Sequence, residues 1–141
     1  MAIKAVLDTR FFFALYNPSS RRQKDWCDSV VLESQKVKSP DYRAYVASCV
    51  SIAELYENMG RLVGKEVVRL RISSIKNSGI EFVPVDEEIC ELVGDLKLNS
   101  GELPLSDAII SVTACVLSDG KLFSDDEHFK ALKGTKAIWV E

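Results

Sequence analysis

Short apolar segments of this chain alternate with longer segments of helical pattern, and this alternation limits the folds that are open to it. The pattern at residues 3–7 predicts a buried strand, and helical patterns follow at 11–16 and at 20–37. Strands that are separated by helices pair in parallel, and helices cover both faces of the resulting sheet. The sequence therefore predicts an α/β fold in which three α/β/α layers surround a central parallel sheet.

The same alternation continues to the end of the chain. Local signals predict where three helices begin: an S-x-x-E pattern formed by Ser51 and Glu54, then Asp86, and then Ser106 as a capping residue. Turn-forming residues separate the elements. The other predicted strands are 44–47, 80–85, 121–124 and 137–140, and the other predicted helices begin at Ser51 or cover 67–77, 86–96, 106–117 and 127–132.

Length and composition fit one domain of ordinary size. The chain has 141 residues, of which 47% are hydrophobic, which is enough to build a core. We therefore expect residues 1–141 to form a single domain. No apolar run approaches the ~18 residues of a membrane span, and the first residues lack the pattern of a signal peptide. We expect a cytoplasmic protein that makes no membrane contact.

Charge and cysteine content argue against two kinds of site. The net charge of −3 argues against a protein that binds nucleic acid through bulk positive charge, although an enzyme that meets phosphate through a bound metal stays possible. The four cysteines are scattered and the chain has one histidine, so the spacing of a zinc site is missing. The cysteines are predicted to be buried, reduced thiols.

Carboxylates occur where predicted strands end and predicted helices begin. Asp8 ends the first strand, Glu54 lies in the first turn of the helix after the second strand, and Asp107 opens a later helix. Asp125 and Asp126 follow the fourth strand. In open α/β sheets, ligands bind outside the carboxyl ends of the strands. We therefore expect these acids, which come from distant parts of the chain, to meet at one edge of the sheet.

Such a cluster of acids predicts a divalent cation. Several carboxylates within a few ångströms repel one another, and some stay protonated unless a positive charge joins them. Mg²⁺ prefers oxygen ligands and keeps several waters, and a metal of this kind can activate water against a phosphodiester. Hydrolysis of a nucleic-acid backbone is the natural use of the site, because the metal also neutralises the phosphate.

Each acid also has a purely structural explanation. Acids at helix N-termini stabilise the helix by ~0.3–1 kcal/mol, and Glu54 could only complete a capping box with Ser51. Asp125 and Asp126 could form a solvated turn. Asp8 is harder to explain in this way, because it ends an apolar strand and caps nothing obvious except the next turn. The functional prediction therefore depends on the set and not on one residue.

Four short motifs follow one another along the chain, and each contains one of these acids. They are Val6-Leu7-Asp8-Thr9, Ser51-Ile-Ala-Glu54-Leu55, Leu105-Ser106-Asp107-Ala108-Ile109-Ile110 with Thr113-Ala114, and Leu122-Phe123-Ser124-Asp125-Asp126-Glu127-His128-Phe129. In this order and at these separations they resemble the PIN domain, notably the VapC-type toxins of prokaryotic toxin–antitoxin pairs. The resemblance covers nearly the whole chain, and the third motif is the most specific.

The resemblance implies an activity and its residues. It implies an endoribonuclease that depends on Mg²⁺ or Mn²⁺, in which Asp8, Glu54, Asp107 and Asp126 hold the metal and carry catalysis. His128 is predicted to be structural or solvated and not a general base, because the metal can activate water directly.

Four further residues are possible accessories to this site. Thr9 and Ser124 match hydroxyls that the family places beside its acids. Asp125 stands where the family tolerates many residues, so Asp126 is favoured as the fourth ligand. Three roles stay open for Arg10: it contacts substrate phosphate, it weakens metal binding, or it is turned to solvent.

The resemblance also implies partners: an RNA substrate, a second copy of the chain in a homodimer, and a small antitoxin protein that docks on the apolar N-terminal helices. Two alternatives stay open, an RNA-processing PIN nuclease without an antitoxin and an inactive PIN-fold binding module. A phosphatase of the haloacid-dehalogenase kind is disfavoured, because Arg10 stands where a second Asp is needed. A receiver domain is disfavoured because its acidic pair is missing.

Overall fold

A central sheet of five short parallel strands organises the chain. The computed structural model describes residues 3–37, 39–130 and 132–141. Helices connect the strands, as the sequence predicts. In chain order the elements are β1 (Ala5–Leu7), α1 (Thr9–Tyr16), α2 (Arg21–Lys36), β2 (Tyr45–Ser48), α3 (Val50–Val63), α4 (Lys65–Asn77), β3 (Glu81–Val83), α5 (Glu87–Asn99), α6 (Leu105–Ser118), β4 (Lys121–Phe123), α7 (Glu127–Lys130) and β5 (Lys136–Ile138).

The order of strands across the sheet determines where a site can form. That order is β3-β2-β1-β4-β5, and all neighbouring strands are parallel. The chain moves outward from β1 to β2 and β3, and then crosses back to place β4 on the other side of β1. This reversal lies between β1 and β4, where Leu7 pairs with Phe123. Ligands of open α/β sheets bind at such a reversal, outside the carboxyl ends of the strands.

Helices cover the sheet on both faces, as successive residues of β1 show. Ala5 and Leu7 belong to a buried cluster with residues of α1 to α4. Val6, between them, belongs to a second cluster with Ile110 of α6 and Phe129 of α7. Because side chains of a strand point alternately to opposite faces, these clusters form two separate layers of core. The predicted three-layer α/β/α architecture is therefore confirmed.

Helix starts were predicted with mixed success. Asp86 does cap α5, since its Oδ1 accepts a hydrogen bond from the backbone N–H of Ile89 at 3.0 Å. The capping role of Ser51 is wrong, because α3 begins one residue earlier and Ser51 lies buried inside it. The hydroxyl of Ser48 instead accepts a hydrogen bond from the backbone N–H of Val50 at 3.2 Å. Ser106 is also not a cap, because α6 begins at Leu105, with a proline before it.

The outer helix faces correct the prediction for the cysteines. Cys27 is buried in the core, as expected, and Cys49 is partly buried. Cys90 and Cys115 are exposed, because they lie on the solvent faces of α5 and α6. No helix within the described part of the chain is both long and apolar enough to span a membrane.

Candidate active site

Asp8 and Ser124 meet at the reversal of strand order. Asp8 directly follows β1 and is 3% exposed, and Ser124 directly follows β4 and is 1% exposed. The backbone N–H of Asp8 donates to the carbonyl oxygen of Phe123 at 3.1 Å, which continues the pairing of β1 with β4. The Ser124 hydroxyl donates to Asp8 Oδ2 at 2.6 Å. A buried carboxylate is therefore held in place by a neutral donor from the neighbouring strand.

Ser124 also connects this carboxylate to Asp126. Its Oγ accepts a hydrogen bond from the backbone N–H of Asp126 at 3.0 Å. One hydroxyl thus orients the side chain of Asp8 and fixes the backbone that carries Asp126. A hydroxyl can do both because it has one donor proton and two acceptor lone pairs.

Thr9 connects α1 to Glu54 of α3. Its Oγ1 donates to Glu54 Oε1 at 2.7 Å and lies 2.8 Å from Ser51 Oγ, to which it is also hydrogen-bonded. These contacts explain why Ser51 is buried inside α3 and does not cap it. The second predicted acid is therefore oriented by a hydroxyl, as the first one is.

Asp107 and Asp126 are brought together by His128. Asp107 lies in the first turn of α6, and His128 lies in α7. His128 Nδ1 lies 2.8 Å from Asp107 Oδ2 and 2.9 Å from Asp126 Oδ1. The backbone N–H of His128 also donates to Asp126 Oδ1 at 2.9 Å. Sequence reasoning missed this role of His128, although its separation of two residues from Asp126 was a usable signal.

Arg10 and Asp125 form a separate pair at the rim. The Arg10 guanidinium donates to both carboxylate oxygens of Asp125, the second bond being 3.1 Å long between Nη2 and Oδ2. Both side chains are partly exposed. The two adjacent acids after β4 therefore have different partners: Asp125 pairs with a cation, and Asp126 turns towards Asp107.

The electrostatics of the inner acids reflect their burial and mutual repulsion. Burial above all, with smaller contributions from the charges of Asp107 and Glu54, raises the pKa of Asp8 to about 7, against the opposing hydrogen bonds from the Ser124 hydroxyl and the backbone of Thr9. Burial and then the charge of Asp126 raise the pKa of Asp107, while His128 lowers it. Each acid therefore affects the proton affinity of another, which requires them to be close.

The donor atoms suit a divalent cation. One oxygen from each of Asp107 and Asp126 and one nitrogen of His128 lie within 4.8 Å of one another. Asp8 and Glu54 are not members of this tight set, but the charge of Glu54 raises the pKa of Asp107, and the charge of Asp107 raises that of Asp8. Carboxylate oxygens are ligands of Mg²⁺ and Mn²⁺, and imidazole is a ligand of transition metals. The residues present therefore fit a bound metal.

A groove runs from the rim of this site along α1 and α3. Its volume is about 790 Å³. The Arg10–Asp125 pair lines the end next to the acids, and Met59 and Leu62 of α3 line the other part. The groove combines apolar and charged walls, so it is suited to an extended chain more than to a small apolar ligand.

The fold and the site together define a class of protein, an α/β protein with acids gathered where the strand order reverses. Comparison with known protein families identifies the family. The model of the PIN domain matches residues 5–134. The chain therefore belongs to the PIN-domain family, whose members are nucleases as a class. No protein with a curated description matches the chain significantly.

Solved structures share the fold at low sequence identity. A chain of VapBC2 from Rickettsia felis, crystallised with a DNA fragment from the promoter, matches with a TM-score of 0.69 and 14% identity over 96% of this chain and 97% of that one. A chain of a toxin–antitoxin complex from Klebsiella pneumoniae matches with a TM-score of 0.63 and 19% identity, covering 94% and 96%. A chain of VapBC-5 from Mycobacterium tuberculosis matches with a TM-score of 0.59 and 20% identity, covering 98% and 99%.

Proposed function

We propose that this protein is a cytoplasmic, divalent-metal-dependent endoribonuclease and the toxin of a toxin–antitoxin pair. The observation that carries the proposal is the meeting of acids from distant segments at the β1–β4 reversal, in a chain of the PIN-domain family. We further propose that residues 1–141 form a single nuclease domain, since the family match covers nearly all of it.

In this proposal Asp8, Glu54, Asp107 and Asp126 hold Mg²⁺ or Mn²⁺ and form the catalytic centre. The metal supplies a positive charge for the phosphodiester and lowers the pKa of a bound water. The raised pKa values of Asp8 and Asp107 support this role, because they indicate that the fold itself does not neutralise these acids fully.

The accessory residues orient this centre. Thr9 holds the carboxylate of Glu54, and Ser124 holds that of Asp8, so neither acid has to be ordered when metal and RNA bind. Arg10 is a residue that can meet a phosphate bidentately. We propose that a substrate phosphate replaces Asp125 as the hydrogen-bonding partner of the Arg10 guanidinium.

The proposed protein partners are an antitoxin and a second copy of the chain. The structural neighbours that support the antitoxin are parts of VapBC complexes and of another toxin–antitoxin complex. Helices α3 and α4 expose Leu62 (85%) and Leu70 (70%), and Leu62 also lines the groove that leads to Arg10. Exposed apolar side chains of this kind suit a protein interface. We propose that α3 and α4 share the antitoxin contact with the N-terminal helices, where Leu32 of α2 is also exposed (51%).

Cleavage by purified protein tests the nuclease. We expect single-stranded RNA of mixed sequence to be cut internally with Mn²⁺ or Mg²⁺ and left intact with a chelator, and DNA of the same sequence to be cut far less. Asp107→Asn should abolish cleavage while the circular dichroism spectrum is retained. Asp95→Asn, which removes an exposed carboxylate of α5, is the matched control and should cleave as the wild type does. Equal activity of the two variants refutes the proposed site.

Expression in a bacterial host tests the toxin. Induction of the wild type should stop growth, and induction of Asp107→Asn should not. Co-expression of the gene next to this one should restore growth if it encodes the antitoxin. Cleavage without growth arrest would favour an RNA-processing nuclease, and metal binding without cleavage would favour an inactive binding module. Sedimentation of the purified protein tests the homodimer.

A further inference from the structure

The side chain of His128 is directed at two carboxylates, and burial in the core does not explain this position. Its ring is half exposed (52%), yet its Nδ1 lies within 3 Å of two carboxylates: 2.8 Å from Asp107 in α6 and 2.9 Å from Asp126 in the segment between β4 and α7. The next residue, Phe129, is fully buried and anchors α7 in the core. The imidazole is thus carried on an anchored element and turned towards the acids, although solvent is open to it.

The backbone around His128 orders one of these acids as well. Its N–H donates to the same oxygen of Asp126, Oδ1, that faces the ring. That carboxylate is therefore fixed relative to the imidazole before any ligand arrives. Within residues 3–37, 39–130 and 132–141, these three side chains form the one group of at least three histidine, cysteine or acidic residues whose donor atoms all lie within 4.8 Å.

A nitrogen donor changes which cation a site of acids prefers. Mg²⁺ takes oxygen ligands and gives up its waters reluctantly. Imidazole suits transition metals instead. Mn²⁺ takes the same carboxylate and water ligands as Mg²⁺, but it is a transition metal and accepts a nitrogen donor more readily than Mg²⁺ does. A site built of acids alone can take either ion, whereas a site with imidazole among its donors is shifted towards Mn²⁺.

We propose that His128 is a direct ligand of the metal and that it gives the site a preference for Mn²⁺ over Mg²⁺. This inference rests on the proposed function, since the ion is the one held by Asp107 and Asp126. It adds a residue that the sequence motifs assign no role, and it predicts which of the two ions the protein takes when both are present.

Spin-echo spectroscopy of bound Mn²⁺ tests the ligand directly. The chain has a single histidine, so in protein that carries no histidine tag any imidazole nitrogen coupled to Mn²⁺ belongs to His128. We expect nitrogen modulation of the Mn²⁺ echo in the wild type and its loss in His128→Ala. The wild-type spectrum needs no variant, so the test holds even if the substitution disturbs α7.

Titration calorimetry with Mn²⁺ and with Mg²⁺ tests the preference. In His128→Ala we expect the Mn²⁺ affinity to fall by at least about tenfold, in line with the losses seen when metal sites lose supporting residues, and the Mg²⁺ affinity to change much less. His128→Gln, which retains a polar side chain, should behave as the alanine variant does. The Asp95→Asn variant should bind both ions as the wild type does.

Two results would overturn the inference, and they differ in what they mean for the proposed function. If Mn²⁺ binds without nitrogen modulation and with the same affinity in His128→Ala, His128 is a counter-ion of the acids and not a ligand, and the nuclease proposal stands. If the wild type binds neither ion, the proposed function fails together with this inference.

Discussion

Replacement of Asp8 by Asn should make the metal-free protein more stable. Asp8 is almost fully buried, and burial raises its pKa from 3.8 to about 7. One pKa unit corresponds to 1.36 kcal/mol, so the ionised carboxylate destabilises the fold by about 4 kcal/mol. Asn has nearly the same shape, cannot ionise, and keeps a carbonyl oxygen that can accept the hydrogen bond of Ser124. At neutral pH the variant should therefore gain a few kcal/mol.

The gain should depend on pH in a direction that follows from the raised pKa. Below the unfolded-state pKa of 3.8, Asp8 is protonated in both the folded and the unfolded state, so it does not lower the stability of the fold. Between 3.8 and about 7 the folded state keeps the proton that the unfolded state has lost, so the stability of the wild type falls as pH rises. Above about 7 both states are ionised and the loss is complete. The advantage of Asp8→Asn should grow by about 3 kcal/mol from pH 5 to pH 8.

Urea denaturation with a chelator present measures this advantage. The fluorescence of Trp26 and Trp139 reports unfolding, because their ring centroids are 5.2 Å apart and both side chains pack, partly buried, against the core. Asp95→Asn is the control, because it removes one charge without burial and should show little change with pH. An advantage of Asp8→Asn that is the same at pH 5 and pH 8, or a variant less stable than the wild type at pH 8, refutes the reasoning.

Three more perturbations follow from the same structure. Ser124→Ala removes the side-chain donor of buried Asp8 and should lower the free energy of unfolding by about 1–3 kcal/mol, whereas Ser124→Thr keeps the hydroxyl. Urea denaturation compares the two variants, and equal losses of stability contradict the role of the hydroxyl. Gly120 has φ +82°, and a Cβ there would lie 1.9 Å from the carbonyl oxygen of Gly134. Gly120→Ala should therefore cost about 3 kcal/mol or more and lower the melting temperature, whereas Gly60→Ala meets nothing within 4 Å and should not destabilise α3. Mn²⁺ at about 100 times its Kd should raise the free energy of unfolding by about 2.7 kcal/mol. A melting temperature that changes neither with Mn²⁺ nor with a chelator contradicts a metal site.

The order of elements could be predicted because it depends on local pattern. The period of apolar residues distinguishes strands from helices without any knowledge of the partner, and all five strands and seven helices of the described residues match segments predicted from it. The strand ends were less certain, as in β3, which covers Glu81–Val83 and not the whole of 80–85. A strand ends where its neighbour stops pairing, and the neighbour is not visible in a local pattern.

The errors in the helix starts have one cause, which is competition between local and distant partners. Ser51 has the spacing of a capping residue, but its hydroxyl lies against Thr9, which is 42 positions away in the chain. The side chain of Asp86 instead bonds the backbone N–H of Ile89 in the helix that it caps, and there the local prediction was correct. A capping signal is therefore dependable only where the side chain is free of the core.

The candidate site could be predicted as a set of acids but not as a geometry. The rule that ligands bind at the carboxyl ends of parallel strands suggested that the acids would meet. It did not give the strand order that brings β4 beside β1. Nor did it distinguish Asp125, which pairs with Arg10, from Asp126, which faces Asp107 through His128. These differences depend on the direction of single side chains after β4.

The choice of partners for the acids is the strongest physical reason to expect a cation from outside the chain. The Ser124 hydroxyl orients Asp8 and the Thr9 hydroxyl orients Glu54. Each donates a hydrogen bond without adding a full positive charge. Arg10, a cation two residues after Asp8 in the sequence, instead pairs with Asp125 at the rim. A fold selected for stability alone gains more by neutralising a buried carboxylate or by replacing it with an apolar residue. Hydroxyl partners fix the orientation of these acids and leave their charge available, which is the arrangement that a divalent metal requires.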